Sequence, residues 1–155
     1  MQWSMETMSI IGYDNTNDLH RKFKRELVSD SLIFMYFKNT IERYLSLSNN
    51  PNEIKQETAY LVSNASNLVG YLYLGHCDFN GTLALDYAIH EDYRGNHLGV
   101  KMLKEVREYL LHNMDRVQAI DLAIQKNNIR SIQTASQAGF IYHRRIDDTT
   151  YYRYK

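Results

Sequence analysis

The chain has one cysteine (Cys77), one proline (Pro51) and seven glycines in 155 residues. A lone cysteine excludes an intrachain disulfide and suits a reducing compartment. With so little proline and glycine there is hardly room for a flexible linker, and neither a repeat nor a low-complexity run is present. An excess of charge is missing too: Lys plus Arg and Asp plus Glu number 18 each, for a formal net charge of zero. Holding a polyanion rests on accumulated positive charge, so nucleic acid is not an expected partner. No run approaches the roughly 20 apolar residues of a membrane helix. The opening MQWSMETMSI lacks a basic stretch followed by an apolar one and does not read as a signal peptide; Met5 or Met8 would serve equally as the natural start. These absences lead to an expectation of one domain over residues 1–155, cytoplasmic, with no membrane partner.

What is present suits a globular core: 44% hydrophobic and 23% charged residues in a chain long enough to bury one. Residues 8–13 suggest a short strand. From Asp18 to Ser48 the pattern is helical, with Leu19, Phe23 and Leu27 at four-residue spacing and then Leu32, Met35, Tyr36, Ile41, Tyr44 and Leu45 on a broad apolar face. Asn-Asn-Pro at 49–51 ends it. Three antiparallel strands are predicted at Glu57–Asn64, Leu68–His76 and Thr82–His90. The third alternates, with Leu83, Leu85, Tyr87 and Ile89 on one face and Ala84, Asp86 and Ala88 on the other. A helix reaching about Asn113 follows, then a buried strand at Val117–Ile124, a helix capped by Asn127 or Asn128 and ended by Gly139, and a hairpin turning at Asp147-Asp148. The fold class is mixed α/β (α+β).

Chemistry concentrates in Tyr93–Val100, YRGNHLGV, between a strand and a helix. A turn that delivers the chain into a helix leaves unpaired N–H groups at a partly positive end, a ready site for pyrophosphate. Gly95 and Gly99 remove two Cβ atoms from that approach, and Arg94 adds a fixed charge. On local sequence alone, a plain turn with glycine for geometry is an equally good reading. The segment is neither a P-loop nor a dinucleotide fingerprint. Six histidines show no ligand spacing, so no metal is expected.

Arg94–Gly99, RGNHLG, resembles the Arg/Gln-x-x-Gly-x-Gly/Ala signature of the GNAT acetyltransferases, and LDYAIHEDY resembles the strand and turn leading into it. Asn128-x-x-Ser131 with Gly139-Phe140 resembles the second signature of that family. The resemblance is specific over about Leu83–Tyr142 and implies a mostly antiparallel central sheet flanked by helices, with acetyl-coenzyme A as co-substrate. It implies that Arg94, Gly95, Asn96, His97, Leu98 and Gly99 cradle the pyrophosphate. Asn128 and Ser131 would steady the pantetheine, in a cleft where the strands ending near Ile89 and Ile124 diverge. There are two departures: His97 stands where the signature has its first glycine, and Ala135 stands where many members carry a tyrosine acid.

An amine with a pKa of roughly 10.4 must lose a proton before it attacks a thioester. Asp86 is the leading base, mid-strand on a face of small residues; a satisfied carboxylate at a strand edge is the plain alternative. Glu91 and Asp92, on the turn, read as solvated. The function expected is N-acetyl transfer to a primary amine of a small molecule or peptide. A non-catalytic acyl-coenzyme A-binding module is the alternative that Ala135 keeps open. A homodimer is compatible with either.

Overall fold

The computed structural model describes residues 2–48 and 52–155, so the predicted Asn-Asn-Pro stop lies outside the described residues. Eight strands, among the described residues, form one sheet. They are β1 (Gln2–Ser4), β2 (Met8–Ile11), β3 (Thr58–Asn64), β4 (Asn67–Cys77), β5 (Thr82–Ile89), β6 (Ala119–Gln125), β7 (Ile141–Ile146) and β8 (Thr149–Tyr154). Their order is β1-β2-β3-β4-β5-β6-β8-β7. All neighbours are antiparallel except β5 and β6. Strand β1 was not expected from the sequence; only three residues pair in it, too few for a periodic signal.

The long helical stretch is two helices, α1 (Asp18–Ser29) and α2 (Ser31–Tyr44), with a 3₁₀ turn at Leu45–Ser48. The break has a local cause. Asp30 has extended backbone, with ψ 124°, and its side chain takes the N–H groups of Leu32 and Ile33. It is the cap of a new helix rather than the interior of an old one. Asn17 caps α1 in the same way, through Leu19 and His20. Two further helices, α3 (Leu98–Asn113) and α4 (Ile129–Gln137), follow β5 and β6; α3 is the crossover that makes the β5–β6 pairing parallel.

Helices on both faces of the sheet give two apolar layers. Leu72, Leu74, Leu83, Leu85, Ile120 and Leu122 meet α3 and α4 through Met102, Val106 and Ala135. On the other face Leu61, Tyr71 and Ala88 meet Phe23, Leu27, Ile33 and Ile41. The alternation read in β5 holds. The stripes read in the first helices shift: Leu19 is 70% exposed and Met35 67% exposed. In α2 the inward line is Ile33, Phe37, Ile41 and then Leu45, a four-residue repeat that leaves Leu32 and Met35 off the axis of burial.

The first strands are tied to α3 by one buried carboxylate. Glu105 accepts the backbone N–H of Thr7 at 2.7 Å and of Met8 at 2.9 Å, and the Thr7 hydroxyl at 2.6 Å. Burial opposes its charge, but these bonds outweigh that and hold its pKa below the ordinary carboxylate value. Its stabilisation is therefore present above the unfolded-state pKa and lost as the pH falls. Glu105→Ala strands a buried N–H and should cost about 2–3 kcal/mol at neutral pH. Denaturant unfolding across acidic and neutral pH checks this, and equal stability of the two proteins at neutral pH would contradict it.

Candidate active site

Beyond the first half of β5 the parallel ladder stops. Pairing runs from Thr82–Ala119 to Leu85–Leu122 and no further. Strand β5 continues with β4 as far as Ile89, and β6 continues with β8 as far as Gln125. The two strands therefore stay ordered while a gap opens between them, and backbone groups facing the gap have no ladder partner. Asp86 is the first β5 residue past the last pair, and Ala123 is its counterpart on β6.

Two cavities of about 300 Å³ each meet at this gap. One runs from Ile89 along Arg94–Gly95 and His97–Val100 to Asn128 and Ser131. The other holds Asp86, Ala123, Gln125 and Tyr151. Tyr36, Phe37, Tyr87, Asn128 and Ser131 line both. Every site residue singled out in the sequence except Asn96 thus borders one of the cavities. Asn96 lies in the same turn and is exposed.

The turn has the conformations its residues allow. Gly95 has φ +85°, and a Cβ there would meet nothing within 4 Å, so backbone conformation rather than space calls for glycine. His97 has φ 57° and ψ 17° and is the N-cap of α3 without a side-chain cap bond. A left-handed residue costs less with glycine than with histidine, which is the physical content of the departure noted at this position. The first N–H bonded back into α3 is that of Lys101, to His97 at 3.1 Å. The N–H groups of Leu98, Gly99 and Val100 therefore open into the first cavity at the positive end of a 16-residue helix. At Gly99 a Cβ would meet Thr134 at 3.4 Å and Ile89 at 3.8 Å, ordinary van der Waals contact, so packing against α4 does not itself demand glycine here.

Arg94 is held more firmly than the sequence suggested. Its Nε donates to the Ile89 carbonyl at 3.0 Å, and its Nη2 lies 2.9 Å from Asp30 Oδ2. The carboxylate that caps α2 thus also anchors the turn. His90 stands beside this anchor, buried, packed at a tilt against Phe23 with ring centroids 5.1 Å apart, and accepting the Asp92 N–H through Nδ1. Asn128, not Asn127, caps α4 by accepting the Ser131 N–H at 3.3 Å.

On the floor of the second cavity, burial pushes the Asp86 carboxyl up to about 6. Beside it the Tyr71 hydroxyl is fully buried with no hydrogen-bond partner, and desolvation followed by the Asp86 charge raises its pKa well above the usual value. An orphaned hydroxyl of this kind calls for a water or a ligand group. Tyr87 points to the opposite face. Burial pushes its phenol up to about 12, against hydrogen bonds with the Thr134 and Ser131 side chains. The sequence places Tyr71 and Tyr87 on strands but cannot single them out, because thirteen tyrosines give no way to tell a sheet-face ring from one at a cavity. Ala135 is completely buried in the layer under α4.

Known proteins share this fold. A model of the acetyltransferase (GNAT) family matches residues 17–140. Curated protein sequences give no match. Among solved structures, an acetyltransferase (GNAT family) from Bacillus anthracis is 14% identical and superposes with a TM-score of 0.73 over 99% of this chain and 98% of that one. The aminoglycoside acetyltransferase AAC(6')-Ib, in complex with coenzyme A and kanamycin, is 20% identical with a TM-score of 0.72, over 96% and 93%. The Campylobacter jejuni N-acetyltransferase PseH, in complex with acetyl coenzyme A, is 13% identical with a TM-score of 0.69, over 96% and 98%. At these identities the likeness is one of fold.

The raised Asp86 pKa has a consequence for stability. The folded chain prefers the protonated carboxyl, so this group destabilises progressively as the pH rises from the ordinary value toward about 6, and the deficit persists above. Asp86→Asn should be more stable than the wild type at neutral pH by about 2–3 kcal/mol, with the gain vanishing near pH 4. Urea unfolding at both pH values checks this; a variant less stable than wild type at neutral pH would show the carboxylate to be satisfied.

Proposed function

The chain belongs to the GNAT acetyltransferase family, and on that premise we propose that it is an N-acetyltransferase. It moves an acetyl group from acetyl-coenzyme A to a primary amine of a small molecule or peptide. It does so as one domain over residues 1–155, in the cytoplasm, where among the described residues no helix is long and apolar enough to cross a membrane. The observation that carries this reading is the pair of cavities meeting where β5 and β6 part, one leading to a helix N-terminus and the other to a desolvated carboxylate.

The first cavity suits the co-substrate. The free N–H groups of Leu98, Gly99 and Val100, with Arg94 beside them, offer the donors and positive potential that a pyrophosphate needs. Gly95, Asn96 and His97 shape the turn, and Ile89, Asn128 and Ser131 line the way to the gap. Acetyl-coenzyme A supplies a thioester carbonyl activated toward nitrogen. Unpaired backbone N–H groups along the gap are placed to hold that carbonyl oxygen as it gains charge.

Asp86 takes the amine proton. With a pKa of about 6 it is ionised at neutral pH and more basic than an exposed aspartate, which brings it closer to its task. The nitrogen bonds to the acetyl carbon, the carbon–sulfur bond breaks, and the sulfur leaves as a thiolate. A thiol of pKa roughly 8.5 is a good leaving group and is protonated without a dedicated strong acid. Water supplies that proton, since Ala135 offers none and burial, by pushing the Tyr87 phenol up to about 12, makes it too weak an acid for such a thiolate. The buried Ala135 also favours the second reading, a module that binds acyl-coenzyme A without turnover, and the same experiment decides between them.

Calorimetric titration with acetyl-coenzyme A, followed by thiol release over a panel of amines, tests the proposal. Wild type binds; Arg94→Ala binds about tenfold or more weakly; Asp86→Asn binds normally but turns over about 10²–10⁴-fold more slowly. The wild-type kcat has an acid limb near the Asp86 pKa of about 6, absent in Asp86→Asn. Binding without turnover of any amine would leave the non-catalytic module. No binding to folded protein would remove the reading altogether.

A further inference from the structure

Resting on the reading of the second cavity as the acceptor site, the geometry points to the class of amine it takes: one that carries an anionic group, bound by Arg144, at the far end from the nitrogen. The argument begins with a row across the sheet. Tyr73 pairs with Asp86 on β4 and β5; Ala123 pairs with Tyr151 on β6 and β8; Tyr151 pairs with Arg144 on β8 and β7. With the β5–β6 ladder ending one residue earlier, at Leu85–Leu122, Asp86 and Ala123 face each other across the gap. Residues in register share a face of the sheet, so Asp86, Ala123, Tyr151 and Arg144 form one line on the side of α1 and α2. Ala123, the small residue in the middle, is exposed and leaves the floor between the two charges open.

The charges on this line are opposite and uncommitted to each other. Asp86 is the one carboxylate among the residues lining the second cavity. Arg144 sits over Tyr151, its guanidinium carbon 5.1 Å from the ring centroid. A cation–π contact of this kind leaves the N–H groups of the guanidinium free for a bidentate anion. Neighbouring cations are otherwise engaged. Arg145 donates to the Asp147 carbonyl, Lys126 pairs with Asp148, and Arg153 holds Asp121 through two bonds. Arg144 has no carboxylate or carbonyl partner among the described residues.

Spacing narrows the class. From β5 to β7 is three inter-strand steps, at least about 14 Å because the β5–β6 step lies past the end of their ladder, part of which the aspartate and arginine side chains span. The remainder is longer than the amine-to-carboxylate distance in an α-amino acid and suits a chain of several bonds, as in an ω-amino acid, a short peptide or an amino-alkyl phosphate. An acceptor with several ammonium groups would find one carboxylate in the cavity and a guanidinium at its edge. Carboxylate and phosphate monoester share the chemistry Arg144 recognises, and the assay below separates them.

The test uses paired probes that differ only in the distal group: 6-aminohexanoate and 6-aminohexyl phosphate against hexylamine and 1,6-diaminohexane. Thiol release from acetyl-coenzyme A gives kcat and KM. A parallel titration of the coenzyme A-saturated protein with 6-acetamidohexanoate and N-hexylacetamide reads binding without chemistry. Wild type should favour the anionic members by up to about fivefold, as expected of an exposed charge pair, chiefly through KM. The larger of the two anionic preferences identifies carboxylate or phosphate. Arg144→Ala should abolish the preference without changing acetyl-coenzyme A affinity, and Arg144→Glu should turn it toward 1,6-diaminohexane. Equal treatment of all probes by wild type, or a preference that survives in Arg144→Ala, overturns the assignment. Discrimination in the titration with no thiol release would uphold the anion site while contradicting the transferase reading, so the two fail separately.

Discussion

The end of the β5–β6 ladder at Leu85–Leu122 is the constraint on which the rest of the site depends. A strand that loses one neighbour usually frays or is covered. Here each strand keeps its other neighbour, β4 to Gly70–Ile89 and β8 to Gln125–Thr149, so the parting strands stay hydrogen-bonded on their outer edges and the gap has rigid walls. That is why side chains only a few residues apart in sequence have different environments. Leu85 and Asp86 both border the second cavity, yet Leu85 also belongs to the apolar layer while Asp86 points to the opposite face. The parallel hand of the pairing matters equally, because it requires a crossover, and the crossover helix α3 begins at the mouth of the gap.

The entrance to α3 is fastened from a distance. Asp30 uses one carboxylate oxygen to cap α2 and the other to pair with Arg94, and Arg94 in turn holds the Ile89 carbonyl. The end of β5, the turn and the start of α2 are thereby joined through two charged side chains that are mostly withdrawn from water. Such a pair is costly to break from one side, since the remaining charge is left without a partner. The turn is thus stiffened before any anion arrives, which lowers the ordering cost of binding.

Much of this was legible in the sequence because the relevant signals are local. Strand alternation in Thr82–Ile89, the glycine-bearing turn at 93–100 and the cap at Asn128 each declare themselves within a few residues. What escaped reading was set by distant partners. Asp30 looks like one more polar residue in a long helix until Leu32, Ile33 and Arg94 are seen around it. Strand β1 has too few residues to show a period. The inward face of α2 was misplaced by the apolar Leu32 and Met35, whose exposure follows from where the sheet lies rather than from their own hydrophobicity. The Asp86 carboxylate was singled out by position, but its desolvation and the orphaned Tyr71 hydroxyl next to it belong to the folded sheet alone.

Two apolar layers on opposite faces of one sheet also shape how the protein can change. Substitutions in Phe23, Leu27, Ile33 or Ile41 are felt by one layer, and those in Met102, Leu103 or Val106 by the other. Residues that share no neighbour act almost additively. The side carrying α1 and α2 can therefore change while the side carrying α3 and α4 keeps its own packing. The exception is Asp30, which belongs to both through Arg94. In evolutionary terms it is a point of epistasis, where a change tolerated by one half of the molecule must be answered in the other.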